Sequence, residues 1–134
     1  MTPQFVRFLV IGGVAAAANI GSRIVFSLWL PYFSAIALAF CVGLITGFLL
    51  NRGWVFEKTG RAWTLEGTLF LLVNLVGLGQ TVFISWLLAD FVLPWLGQRT
   101  LALETAHAIG VIVPVVTSFL GHKYLTFRIE SNVK

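Results

Sequence analysis

The stretch AIALAFCVGLITGFLL, Ala35–Leu50, carries no charged residue, and its reading decides the fold. An α-helix rises about 1.5 Å per residue, so a run of this kind with a few flanking residues crosses a hydrocarbon layer about 30 Å thick. Working outward, three comparable stretches appear at Phe8–Leu30, Leu69–Leu88 and Ala106–Leu120, with hydrophilic residues gathered in the gaps. Four crossings and their short connections use nearly all of the 134 residues. The expected fold is therefore an all-α, multi-pass membrane protein of four transmembrane helices, a single domain over residues 1–134, with no room for a soluble catalytic domain.

Composition agrees. The chain is 58% hydrophobic and 10% charged, with mean hydropathy +0.94, whereas a soluble domain is about 25% charged. Arg7, followed by an apolar run into Ala15–Ala18, has the outline of a signal peptide. The run continues past Asn19 to Trp29, long enough to span, so it is read as the first crossing. The single cysteine, Cys41, excludes an internal disulfide.

Placing both termini and the central loop in the cytoplasm puts seven of the nine basic residues on that side, Arg7, Arg52, Lys58, Arg61, Lys123, Arg128 and Lys134. The positive-inside rule then predicts N-in, C-in topology. The net charge of +4 reads as topology and contact with lipid phosphate, and nothing resembles a nucleic-acid surface. Pro31–Ser34 is expected to turn the chain on the outer face and Glu57–Glu66 to link the halves inside. Aromatics fall where a belt is expected: Trp29, Tyr32, Trp86 and Trp95 outside, Trp54, Trp63 and Tyr124 inside.

The halves read as a diverged repeat. FLLNRGWVF, Phe48–Phe56, aligns with FLGHKYLTF, Phe119–Phe127, sharing Phe-Leu, a polar group, a base and a final Phe. Two crossings per half make these parallel two-helix repeats. Small residues recur at four-residue spacing: Gly13, Ala17, Gly21; Ala35, Ala39, Gly43, Gly47; Gly77, Thr81, Ser85, Ala89; and Ala102, Ala106, Gly110 and, after Pro114, Ser118. Lipid offers little hydrophobic drive between helices, so close backbone approach along such faces supplies the packing. The small volume that four short helices enclose favours a homodimer.

The residues do not suggest an enzyme. No metal-ligand cluster, phosphate loop or nucleophile motif appears, and neither a metal nor another cofactor is expected. Arg23 needs the most explanation. About 24 Å along the helix from Arg7, it lies in the outer part of the bilayer, where an unpaired charge costs roughly 3 kcal/mol. Asn19 is one turn earlier on the same face, so the two can converge on a ligand; the competing account is an ion pair with Asp90 or Glu104. Asn74, Gln80, Thr81 and Ser85 make the third helix polar enough for a ligand-lined groove, or simply for interhelical hydrogen bonds. Asn51-Arg52 and His122-Lys123 each set a hydrogen-bonding group beside a cation at a helix end, with Arg7 at similar depth. The helix dipole and topology account for such cations; recurrence in both halves suggests a cytoplasmic phosphate-headgroup site.

At these residues the chain resembles the GtrA-like family of small four-helix membrane proteins. The resemblance runs from Arg7-Phe8 through Gly12-Gly13 and Asn19 to Asn51-Arg52 with Trp54 and Phe56, and on to the echo ending in Phe127. His122 replaces the Asn and Leu125 the Trp in the second half, which weakens the case for equal roles. The resemblance implies movement of a polyprenyl-monophosphate-linked sugar across the cytoplasmic membrane for cell-surface polysaccharide synthesis. Related regions also occur attached to polyprenyl-phosphate glycosyltransferases, so a membrane glycosyltransferase is an expected partner and a non-transporting accessory subunit the second reading. The candidate substrate-binding residues are Arg7, Asn19, Arg23, Asn51, Arg52, Asn74, His122 and Lys123. A small drug exporter would place a carboxylate in the first helix, where this chain has Asn19 and Arg23.

Overall fold

The computed structural model describes residues 2–95 and 102–129, and the side chains of these except at 89, 93 and 102–111. The described residues form helices and their connections, without strands, and fall into two compact units: residues 2–62 with Ile129, and Trp63–Arg128.

The first unit is a helical hairpin. Helix α1, Pro3–Phe26, starts where the Thr2 hydroxyl accepts from the Phe5 amide at 3.3 Å and Pro3 occupies the first turn, where a missing N–H costs nothing. It stops at Phe26, short of the expected Leu30. The residue before a proline disfavours helical backbone, and the chain tightens ahead of Pro31: Leu28 and Leu30 amides reach the Val25 and Phe26 carbonyls, while the Ser27 hydroxyl bonds the Arg23 carbonyl at 2.7 Å. Helix α2, Tyr32–Leu50, follows with Pro31 as its N-cap. The turn is thus Ser27–Pro31, and Tyr32, Phe33 and Ser34, expected within it, are helical.

The α2 small-residue stripe lies inward: Ala35, Ala39, Gly43 and Gly47 are all buried. At Gly43 the backbones approach closely, for a Cβ there would stand 2.9 Å from Asn19 Cβ and 3.2 Å from the Ala15 carbonyl oxygen. The α1 stripe does not pack in this way. Gly13, Ala17 and Gly21 are exposed, and a Cβ on either glycine would meet nothing within 4 Å. The α1 stripe therefore does not supply packing within the chain; Ile11, Ala15, Ala18, Asn19 and Ser22 are the more covered residues.

Past α2 the chain takes one wider, π-helical turn, Asn51–Val55, and then a loop in which the Thr59 hydroxyl accepts from the Arg61 amide at 3.0 Å around Gly60 at φ +79°. A left-handed residue there suits glycine. Helix α3, Trp63–Leu87, begins earlier than its apolar run and takes Glu66 out of the expected linker: this carboxylate sits in the first helical turn, fully buried.

In the second unit α3 continues through a π-turn, Leu88–Val92, and a short helix α4, Leu93–Trp95; α5, Ala102–Gly121, returns and ends in a third π-turn, His122–Thr126. Gly77 and Gly121 allow close packing of α3 and α5, since added Cβ atoms would lie 2.8 Å from Ser118 Oγ and 3.0 Å from Val73 Cγ1. Here the predicted stripe does face its neighbour. Ala89 and the Ala102, Ala106 and Gly110 part of the pattern lie outside the described side chains.

Among the described residues three helical segments are long and apolar enough to cross a membrane, Pro3–Phe26, Tyr32–Val55 and Trp63–Val92. Large apolar side chains such as Val10, Leu28, Phe33, Val76 and Val82 stand exposed around the helices. In water such a surface would drive association; in lipid it is the solvated face. The proposed belt residues Trp29, Tyr32, Trp86, Trp95, Trp54, Trp63 and Tyr124 are all exposed.

Candidate functional site

The two motifs aligned by sequence adopt the same local structure. Each helix ends and widens at the aligned polar residue: Asn51 opens one π-turn and His122 the other. The Phe56 amide reaches back to the Asn51 carbonyl at 3.0 Å, and the Phe127 amide to that of His122 at 2.8 Å. Asn51 and His122 are buried, as are Val55 with Thr126 and Phe56 with Phe127. Arg52 and Lys123 are both half-buried, and Trp54 and Leu125 exposed. Sequence alone gave no sign that these helix ends are π-turns, features that recur at functional positions.

Inside this shared frame the polar chemistry differs. Asn51 Nδ2 donates to the Gly47 carbonyl at 2.8 Å, but its buried Oδ1 meets no donor among the described residues. His122 has protein on both nitrogens: Nδ1 is 3.1 Å from Thr126 Oγ1, and Nε2 is 3.5 Å from Asn74 Nδ2, which also donates to the Phe70 carbonyl at 2.8 Å. Since Asn74 Nδ2 can only donate, the tautomer fitting both contacts carries its proton on Nδ1. The ring stacks on Phe70, centroids 4.4 Å apart and planes 19° from parallel. Asn74 and His122, both expected as ligands, thus form one packed network; Thr126 and Phe70 were not singled out, although each lies four residues from its partner.

Arg7 is exposed and borders a cleft of about 370 Å³ with Val6, Val10, Ile11 and Trp54. Beside it Gln4 Nε2 donates to the Val55 carbonyl at 3.2 Å, holding the π-turn to α1. Lys123 Nζ lies 6.0 Å and 5.7 Å from the Phe119 and Tyr124 ring centroids.

Toward the turn between α1 and α2, Arg23 is half-buried with its guanidinium 5.8 Å from the Tyr32 ring centroid, a cation–π distance. Sequence reading assigned Tyr32 to the outer turn and the aromatic belt, not to Arg23. Asn19 is half-buried with its side chain against Gly43. Asp90 is exposed in the π-turn after α3, and the Glu104 side chain lies outside those described.

The second unit has a groove of about 330 Å³ along α3 and α5, from Leu69 and Leu125 to Gln80 and Thr117. Thr117 Oγ1 donates to Gln80 Oε1 at 2.6 Å, a tie between the helices. No group of three His, Cys, Asp or Glu suited to a metal occurs among the described residues.

Long apolar helices, an exposed apolar surface and polar chemistry concentrated at helix ends define a small multi-pass helical membrane protein. The chain belongs to the family described as GtrA/DPMS, transmembrane domain, whose family model matches residues 7–127. Membership points to a membrane function connected with polyprenyl-phosphate sugars. No solved structure matches the chain.

Proposed function

We propose that this protein is a flippase, not an enzyme, that carries a polyprenyl-monophosphate-linked sugar across the cytoplasmic membrane for cell-surface polysaccharide synthesis or modification. The observation that carries the reading is the shared π-turn in which a buried hydrogen-bonding side chain, Asn51 or His122, precedes a half-buried cation, Arg52 or Lys123. Guanidinium and ammonium groups at the membrane face suit a lipid phosphate. Arg7 beside its apolar cleft offers another cation next to a surface for a prenyl chain.

In this reading the halves are parallel repeats with both termini in the cytoplasm. Arg52 and Arg7 are suited to the phosphate in the first half and Lys123 in the second, with Asn19 and Arg23 as further polar groups along α1, while the prenyl tail stays in lipid. A homodimer would enlarge the enclosed space.

The accessory reading draws on one observation, the exposed small-residue face of α1 at Gly13, Ala17 and Gly21. A close-approaching helix of a membrane glycosyltransferase would suit it. Reconstitution of the purified chain alone separates the readings: transbilayer movement of a labelled polyprenyl-monophosphate sugar supports the flippase. Movement that requires a co-reconstituted glycosyltransferase would replace it with the accessory role.

A further inference from the structure

The two π-turns share backbone, burial and an adjacent cation, yet only one leaves a buried acceptor open. His122 engages Thr126 and Asn74 through its two nitrogens and stacks on Phe70. Asn51, 3% exposed, spends its amide N–H on the Gly47 carbonyl and leaves Oδ1 without a donor among the described residues. A buried polar atom left unpaired costs stability, and proteins seldom keep one without a use. Leucine is close to asparagine in size and would remove the cost.

We propose that the halves divide the work: the His122 turn is a structural lock, and Asn51 Oδ1 is the acceptor that reads a sugar hydroxyl of the lipid headgroup. The inference rests on the functional reading above and assigns specificity within that site. Chemistry restricts what Oδ1 can take. A carbonyl oxygen needs a donor, and the phosphate joining a sugar to a prenyl chain is an ionised diester with no proton to give. The donors on such a headgroup are its hydroxyls. The neighbouring Arg52 has the complementary preference, so adjacent residues of one turn can divide the headgroup between them, cation to phosphate and amide oxygen to sugar. Arrival of a hydroxyl satisfies the buried oxygen, so the loaded state is stabilised relative to the empty one. Bare polyprenyl phosphate lacks the sugar hydroxyls and would gain far less from this acceptor.

The test uses the full chain in detergent or nanodiscs, with a fluorescent polyprenyl-monophosphate hexose and the same lipid phosphate without sugar as probes. Asn51→Leu should bind the hexose lipid about tenfold more weakly, the equivalent of one hydrogen bond, and bind the bare lipid as before. Its melting temperature should equal or exceed that of the unsubstituted protein, whereas His122→Phe, which loses the contacts with Thr126 and Asn74, should melt lower. Asn51→Ala should show the same loss of preference and serves if the leucine crowds the turn. Retained preference in both Asn51 variants means that the oxygen holds a resident water only, and overturns the proposal. So does failure of both to fold, which makes Asn51 structural. If the unsubstituted protein binds neither lipid, the functional reading falls and this inference with it; if it binds both without distinguishing them, only the inference falls.

Discussion

Gly43→Ala tests whether the first hairpin is held by backbone contact at a single point. The new Cβ would stand 2.9 Å from Asn19 Cβ, 3.2 Å from the Ala15 carbonyl oxygen and 3.3 Å from Asn19 Nδ2. Two of these three atoms are backbone or fixed to it, so no side-chain rotation clears the space and the helices must shift. Overpacking of this kind costs about 1–3 kcal/mol, offset by up to about 1 kcal/mol because alanine favours helix over glycine. With the full offset a net loss of about 0–2 kcal/mol is expected. Gly13→Ala and Gly21→Ala, with nothing within 4 Å, should keep only the favourable term and be neutral or slightly stabilising. Far-UV circular dichroism during titration of mixed micelles with a denaturing detergent measures all three. Asn19→Gly combined with Gly43→Ala should show favourable coupling, because it removes the shortest contact. Equal stability of Gly43→Ala and Gly21→Ala would refute the argument.

Three further outcomes are expected. His122→Phe keeps the stack on Phe70 but loses the contacts with Thr126 and Asn74, and should destabilise by about 1–3 kcal/mol in the same titration; an unchanged midpoint would remove the lock. Arg23→Lys keeps a charge near Tyr32 but loses the planar donor fork, so it should transport partly and Arg23→Leu not at all although folded. Recovery of transport when Arg23→Leu is combined with Asp90→Leu or Glu104→Leu would show instead that the arginine neutralises a carboxylate. Combining Arg52→Ala with Lys123→Ala should weaken binding of a polyprenyl-phosphate lipid by about ten- to a hundredfold, from loss of charged hydrogen bonds, with topology preserved in a cysteine-accessibility assay.

Helix existence was legible because an uncharged run such as Ala35–Leu50 has few alternatives to a buried or membrane helix. Helix ends were less so: Leu28, Trp29 and Leu30 are apolar enough to continue α1, and Pro31 acts on the residues before it. Glu66 is charged and adjoins a loop sequence, yet helical backbone extends beyond the apolar run and buries it. The Phe48–Phe56 and Phe119–Phe127 alignment placed Asn51 and His122 at matching positions. It did not show that Oδ1 of one meets no donor among the described residues while the other is engaged, because that depends on Gly47, Thr126 and Asn74 in space. The small-residue spacing found the packed faces of α2, α3 and part of α5, whereas the α1 stripe meets nothing within the chain, since period alone cannot say which of several small-residue faces meets a neighbour.

The central claim is that this chain moves a phosphate-bearing sugar lipid by itself, and the initial rate of transbilayer movement in proteoliposomes measures it most directly. Lipid labelled on the sugar and loaded in both leaflets would be exposed to an impermeant quencher added outside. The inner-leaflet signal should be lost rapidly with the unsubstituted protein, slowly with the Arg52→Ala, Lys123→Ala double variant, and barely in protein-free vesicles. Equal rates in all three preparations, with the protein folded and inserted, would contradict the claim.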